Sequence, residues 1–67
     1  MPKHKYTVTI PDAHVVGETV KSLHVSIDGE LHWFNKSDID DESEVTTWDN
    51  AGDLIVSEQV AQVKGLL

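Results

Sequence analysis

Leu23-His24-Val25-Ser26-Ile27-Asp28-Gly29-Glu30-Leu31-His32-Trp33-Phe34 is the stretch whose reading decides the fold. Two alternating runs flank Asp28-Gly29, and that dipeptide is a strong hairpin signal. The strands extend over residues 19–27 and 30–34. Val20 is out of phase with Leu23, Val25 and Ile27, so the first of them is expected to start late or to carry a bulge.

The hairpin register follows from which face is apolar. A two-residue Asp28-Gly29 loop pairs Val25 with His32 and His24 with Trp33, which mixes polar and apolar residues on both faces. A three-residue loop Ile27-Asp28-Gly29 pairs Val25 with Leu31 and Leu23 with Trp33, and one face becomes wholly apolar. A one-residue slip exchanges the faces of every side chain, so the three-residue loop is the expected register. It puts Trp33 in the core, Phe34 on the outer face, and His24 directly opposite His32.

Upstream, Tyr6-Thr7-Val8-Thr9-Ile10 alternates and reads as a strand that ends at Pro11-Asp12. Residues 13–18 read as a loop or short turn. Downstream, residues 35–38 break the hairpin and are expected to form a single helical turn. Residues 44–48 read as a fourth strand, 49–52 as a turn and 53–56 as a fifth strand. Ser57 is a suitable N-cap with Glu58 favourably placed against the helix dipole. Val56, Val60, Val63 and Leu67 make an apolar stripe, and Gly65 falls at the position just past the helix end. A helix over 57–65 is too short to be stable alone and must pack on the sheet.

The expected fold is α+β: a small antiparallel sheet of four to five strands, curled or half-barrel, with one short C-terminal helix. The 67 residues form a single domain, 1–67, with a flexible tail over 1–4. A chain this small buries only about 60% of the surface it exposes when unfolded, so its core is thin.

Twelve acids stand against five lysines, there is no arginine, and the formal net charge is -7. Direct nucleic-acid binding needs a basic face and favours arginine for bidentate phosphate and guanine contacts, so it is not expected. With no cysteine, disulfides, thiol nucleophiles and thiolate zinc sites are excluded. No apolar run is long enough for a signal peptide or a membrane span, which makes a cytosolic setting the default. No catalytic motif is present, so no enzyme activity, cofactor or catalytic residue is expected.

Asp38-Ile39-Asp40-Asp41-Glu42-Ser43-Glu44 holds five acids in seven residues. Its bland reading is a solvated loop that keeps a small protein soluble. Its functional reading is a surface that occupies a basic groove on another protein, with Asp38, Asp40, Asp41, Glu42 and Glu44 standing in for phosphates. A calcium loop fits poorly because the central glycine is missing. Phe34 and Trp48 are the candidate aromatic anchors of the same surface. His24 and His32, if opposed, offer at most two ligands, fewer than a zinc site needs, and no metal is expected. Open sheet edges are compatible with a monomer or a homodimer.

Val25 to Ile39, then Gly52-Asp53-Leu54-Ile55-Val56-Ser57-Glu58, then Ala61-Gln62-Val63-Lys64-Gly65-Leu66, together resemble small phage-encoded proteins. Their pattern is a strand ending in W-x-P-K-S-x-I, an acidic loop, and a closing E-W-x-A-x-x-K-G-L helix. The resemblance covers about two thirds of the chain. Asn35 stands in place of the proline, Asp38 of a glutamine and Gln59 of the helix tryptophan. The motif speaks to kinship and not to mechanism. It implies a phage or prophage origin, a setting in the host cytoplasm, and an inhibitor of a host nucleic-acid-binding machine of the anti-CRISPR or anti-restriction type. That last step is analogy of context. The alternative is an accessory protein-interaction module of phage DNA replication or recombination, binding through Phe34, Trp48 and Leu66-Leu67.

Overall fold

The computed structural model describes residues 6–66. The expected tail over 1–4 and the stripe's last member, Leu67, lie outside the described residues. Four strands, β1 (Thr7–Glu18), β2 (Ser22–Ile27), β3 (Glu30–Asn35) and β4 (Ala51–Ser57), form one antiparallel sheet in the order β3-β2-β1-β4. The sheet is not closed. A single 3-10 turn, Lys36–Asp38, leaves β3 as expected, and the helix α1 (Glu58–Val63) follows β4 directly.

The hairpin register differs from the expected one. Asp28 and Gly29 have φ values of 51° and 80°, which suits a two-residue turn with both central residues left-handed. Ile27 therefore pairs with Glu30, Val25 with His32, His24 with Trp33 and Leu23 with Phe34. Turn chemistry outweighs the tidier alternation. Phe34, only 1% exposed, is the core residue, and Trp33 stands on the outer face at 50%. Phe34 as an outward anchor and Trp33 as a core residue are both corrected. His24 is not opposite His32 either. It stacks on Trp33 with ring centroids 4.2 Å apart and planes 5° from parallel, a cross-strand pair on the solvent side.

β1 does not stop at Pro11-Asp12. Its pairing with β4 shifts register between Ile10 and Ala13, and the strand continues to Glu18. Proline needs no ladder partner inside a bulge, and Asp12 adopts a left-handed φ of 57° that aspartate tolerates. A second shift lies between Val15 and Gly17. The bends let one strand pair with β4 and β2 together, so residues 13–18, expected as a loop, are strand. Val20 precedes β2, which starts late at Ser22.

Residues 44–48 do not form the expected strand. The Thr46 and Thr47 amides donate to Asn50 Oδ1, both at 3.1 Å. A local side-chain acceptor thus replaces a ladder. Val45 from this loop is fully buried and joins Leu23, Val25, Phe34, Leu54 and Val56 in the core.

Ser57 Oγ accepts from the Val60 amide at 3.4 Å, as an N-cap does. At the other end the Gly65 amide reaches the Gln62 carbonyl at 3.1 Å and the Leu66 amide reaches that of Ala61 at 2.8 Å. This pair of bonds is a Schellman closure. Ala61 is the buried face of the helix and Val60 and Leu66 pack beside it, whereas Val63 is 81% exposed. The expected stripe is thus only partly inward.

Candidate functional site: the acidic edge

β4 is an edge strand, and Asp53 and Ile55 turn their backbone groups away from β1. The acidic run meets all four of those groups. The Asp40 amide donates to the Ile55 carbonyl at 2.8 Å, and the Glu44 amide donates to the Asp53 carbonyl at 3.0 Å. In return the Asp53 amide donates to Glu44 Oε1 at 2.9 Å and the Ile55 amide to Ser43 Oγ at 3.1 Å. Ile39 makes an isolated bridge to Val56. The run is therefore an irregular cover laid along the strand, and an exposed row of unpaired amides and carbonyls is the hazard it removes.

Sequence spacing does not show which acids are structural. Asp40 is buried, and its Oδ1 accepts from the Glu42 amide at 3.0 Å, closing an Asx turn. Ser43 is buried as well. Its hydroxyl donates to the Val45 carbonyl at 3.0 Å and accepts from the Val45 amide at 3.1 Å, besides holding Ile55. Glu44 is exposed but committed to Asp53. Asp38 sits half-buried on the 3-10 turn. Asp41 and Glu42 project into solvent. Of the five acids proposed as a binding surface, Asp41 and Glu42 alone are exposed with no side-chain bond to the rest of the chain among the described residues. Asp40 and Asp41 share a cleft of about 210 Å³ with Lys36, Ile39 and Thr46.

Gly52 makes the close approach possible. It lies beside Glu44, where a Cβ would stand 2.7 Å from Glu44 Oε1, and its φ of 138° is one that side-chain-bearing residues rarely adopt.

Next to the cover, Glu18 pins the loop over 46–50. Its Oε1 accepts from Thr47 Oγ1 and from the Trp48 amide, both at 2.9 Å, and its Oε2 accepts from Lys36. The Lys36 hydrogen bond, followed by those of Trp48 and Thr47, lowers the Glu18 carboxyl from its ordinary 4.5 to about 2. The Val15 amide donates to the Asn50 carbonyl at 2.9 Å, and His14 Nε2 lies 3.0 Å from Asp49 Oδ1. Trp48 rides on this loop with its ring exposed. Phe34, meant as its companion, is in the core on another strand.

Among the described residues no group of three or more histidines and carboxylates is arranged to hold a metal ion, and no helix is long and apolar enough to cross a membrane. His24 is taken up by Trp33, and His32 lies on the opposite face, tilted against Phe34 at 6.3 Å. Sequence reasoning missed Ser43, Gly52 and Glu18. A serine inside an acid run and a glycine before a strand are the only signals either offered. Glu18 had none. No family model matches the chain, and neither a curated protein nor a solved structure is similar to it.

Proposed function

We propose that this protein is a non-enzymatic binding protein whose acidic edge occupies a lysine- and arginine-rich surface of a host nucleic-acid-binding protein. It excludes nucleic acid from that surface by charge and bulk. The inhibitor belongs to the anti-CRISPR or anti-restriction type and acts in the host cytoplasm. One observation carries the reading: the acidic run is held to the β4 backbone by main-chain bonds from Asp40 and Glu44 and side-chain bonds to Ser43 and Glu44, so Asp41 and Glu42 are carried on a fixed backbone frame. A backbone already ordered loses little freedom on binding, which raises affinity over that of a floppy acidic loop. The excess of acids over lysines adds long-range attraction for a basic partner.

The test separates recognition from folding. Asp41→Asn with Glu42→Gln removes the two projecting charges and leaves the cover intact. Wild type and variant are used to capture proteins from a bacterial host lysate, with elution in a salt gradient. The expected capture is a nucleic-acid-binding protein that elutes at moderate salt, is displaced by duplex DNA, and is lost with the variant. Capture that is indifferent to salt, DNA and the variant would refute the proposal. It would point instead to the accessory replication or recombination module, for which the exposed Trp33, Leu31 and Trp48 are the available apolar contacts.

A further inference from the structure

The opposite edge of the sheet is built differently. A two-residue turn makes Ile27 and Glu30 a hydrogen-bonded pair, and bonded and non-bonded pairs alternate from there. Val25–His32 and Leu23–Phe34 are thus bonded pairs, and the Lys36 amide continues the series by donating to the Lys21 carbonyl at 2.7 Å. Leu31 and Trp33 belong to the alternate set, so their N–H and C=O groups face away from β2. Among the described residues no backbone bond to either is made outside the sheet. β3 has no proline, lysine or bulge of the kind that blocks further pairing.

A groove of about 460 Å³ runs beside this edge, between Trp33 and the helix residues Val60 and Val63. Trp33, Leu31 and Val63 leave large apolar surfaces in solvent. Asp38 lines the groove at one end of β3, and Glu30 stands at the other. Neither makes an ion pair among the described residues. Lys64 also lines the groove, but its ammonium rests over the Phe34 ring, 5.1 Å from the centroid.

We infer that the free edge of β3 receives an extended segment of a partner protein as an added strand, one that sets an apolar side chain between lysines or arginines. Backbone bonds to Leu31 and Trp33 supply affinity, and the groove takes the apolar side chain. Glu30 and Asp38 favour the flanking cations. A second copy is disfavoured as the occupant, because each chain carries -7. This surface lies on the edge opposite the acidic cover and does not depend on the reading of that cover.

The test uses a short fluorescein-labelled peptide alternating valine with lysine, and a control alternating valine with glutamate. Binding is read by anisotropy and by amide chemical shifts of the whole chain. The lysine peptide is expected to saturate, to move the Leu31, Trp33 and Asn35 amides, and to slow their hydrogen exchange. The glutamate peptide is expected not to bind. Leu31→Pro deletes an N–H that serves only an added strand, and edge strands accept such a proline, so binding is expected to vanish. Leu31→Lys keeps the backbone and tests the same edge should the proline variant unfold. Glu30→Gln with Asp38→Asn is expected to weaken binding about fivefold. Shifts confined to Asp41 and Glu42, equal binding of both peptides, or no binding would each overturn the inference. Concentration-dependent self-association through the Leu31 and Trp33 amides would also overturn it, by naming a second copy as the occupant.

Discussion

The two edges of the sheet solve the same problem in opposite ways. At β4 the outward amides and carbonyls of Asp53 and Ile55 are all answered by the acidic run. At β3 those of Leu31 and Trp33 are left open beside a groove. Both edges carry acids, so charge alone does not separate them. What separates them is backbone satisfaction. One edge is fitted with its own cover and shows carboxylates to solvent. The other keeps its hydrogen-bonding potential unspent.

The register of β3 underlies the contrast, because it decides which residues the free edge displays. Phe34→Ala is expected to remove about 3–5 kcal/mol, enough to unfold most of a domain of this size. Trp33→Ala loses only a stack with His24 on the open face, worth about 1 kcal/mol. Thermal unfolding of the two variants reads the difference directly. Equal effects would mean the slipped register.

Ser43→Ala attacks the covered edge. It strands the buried Val45 amide and the half-buried Ile55 amide, with an expected loss of about 2–3 kcal/mol in denaturant unfolding. Leu31→Lys at the open edge is expected to change stability by less than about 0.5 kcal/mol. Gly52→Ala should fall between, at about 1–2 kcal/mol, from its unfavourable φ and the crowding of Glu44. If Ser43→Ala were as mild as Leu31→Lys, the cover would be no more than a solvated loop.

Acid gives a smaller and graded effect. The Glu18 carboxyl is held below its unfolded value, so its contribution is present above about pH 4.5 and fades as the pH falls toward 2. Glu18→Gln is expected to flatten the pH dependence of stability in that window while leaving the β3 edge unchanged. Urea unfolding at stepped pH checks it.

Much of this arrangement was legible in the sequence, and the failures share a cause. The Asp28-Gly29 hairpin, the Ser57 cap and the Gly65 stop were readable because each is a local device whose residue types fix the backbone. The hairpin register was misread because alternation in two strands was weighed without the helix and the Val45 loop, which supply the other half of the core. That error put Phe34 and Trp33 on the wrong faces. Residues 44–48 look like a strand by composition, but Asn50 takes the Thr46 and Thr47 amides locally, and Glu18 takes the Trp48 amide from a distance in sequence that no local pattern encodes. Pro11 and Asp12 look like a stop and act as a bulge, since a bulge has no use for the missing N–H. In the acidic run charge was visible, but the split between buried Asp40 and projecting Asp41 and Glu42 depends on where β4 lies.

Amide hydrogen exchange on the intact chain tests the contrast between the edges most directly. The Asp53 and Ile55 amides, bonded to Glu44 Oε1 and Ser43 Oγ, are predicted to be protected well beyond the Leu31 and Trp33 amides, which should exchange at nearly the rate of an unstructured chain. Exchange at Asp53 and Ile55 as fast as at Leu31 and Trp33 would contradict the account, for the acidic run would then not be a fitted cover at all.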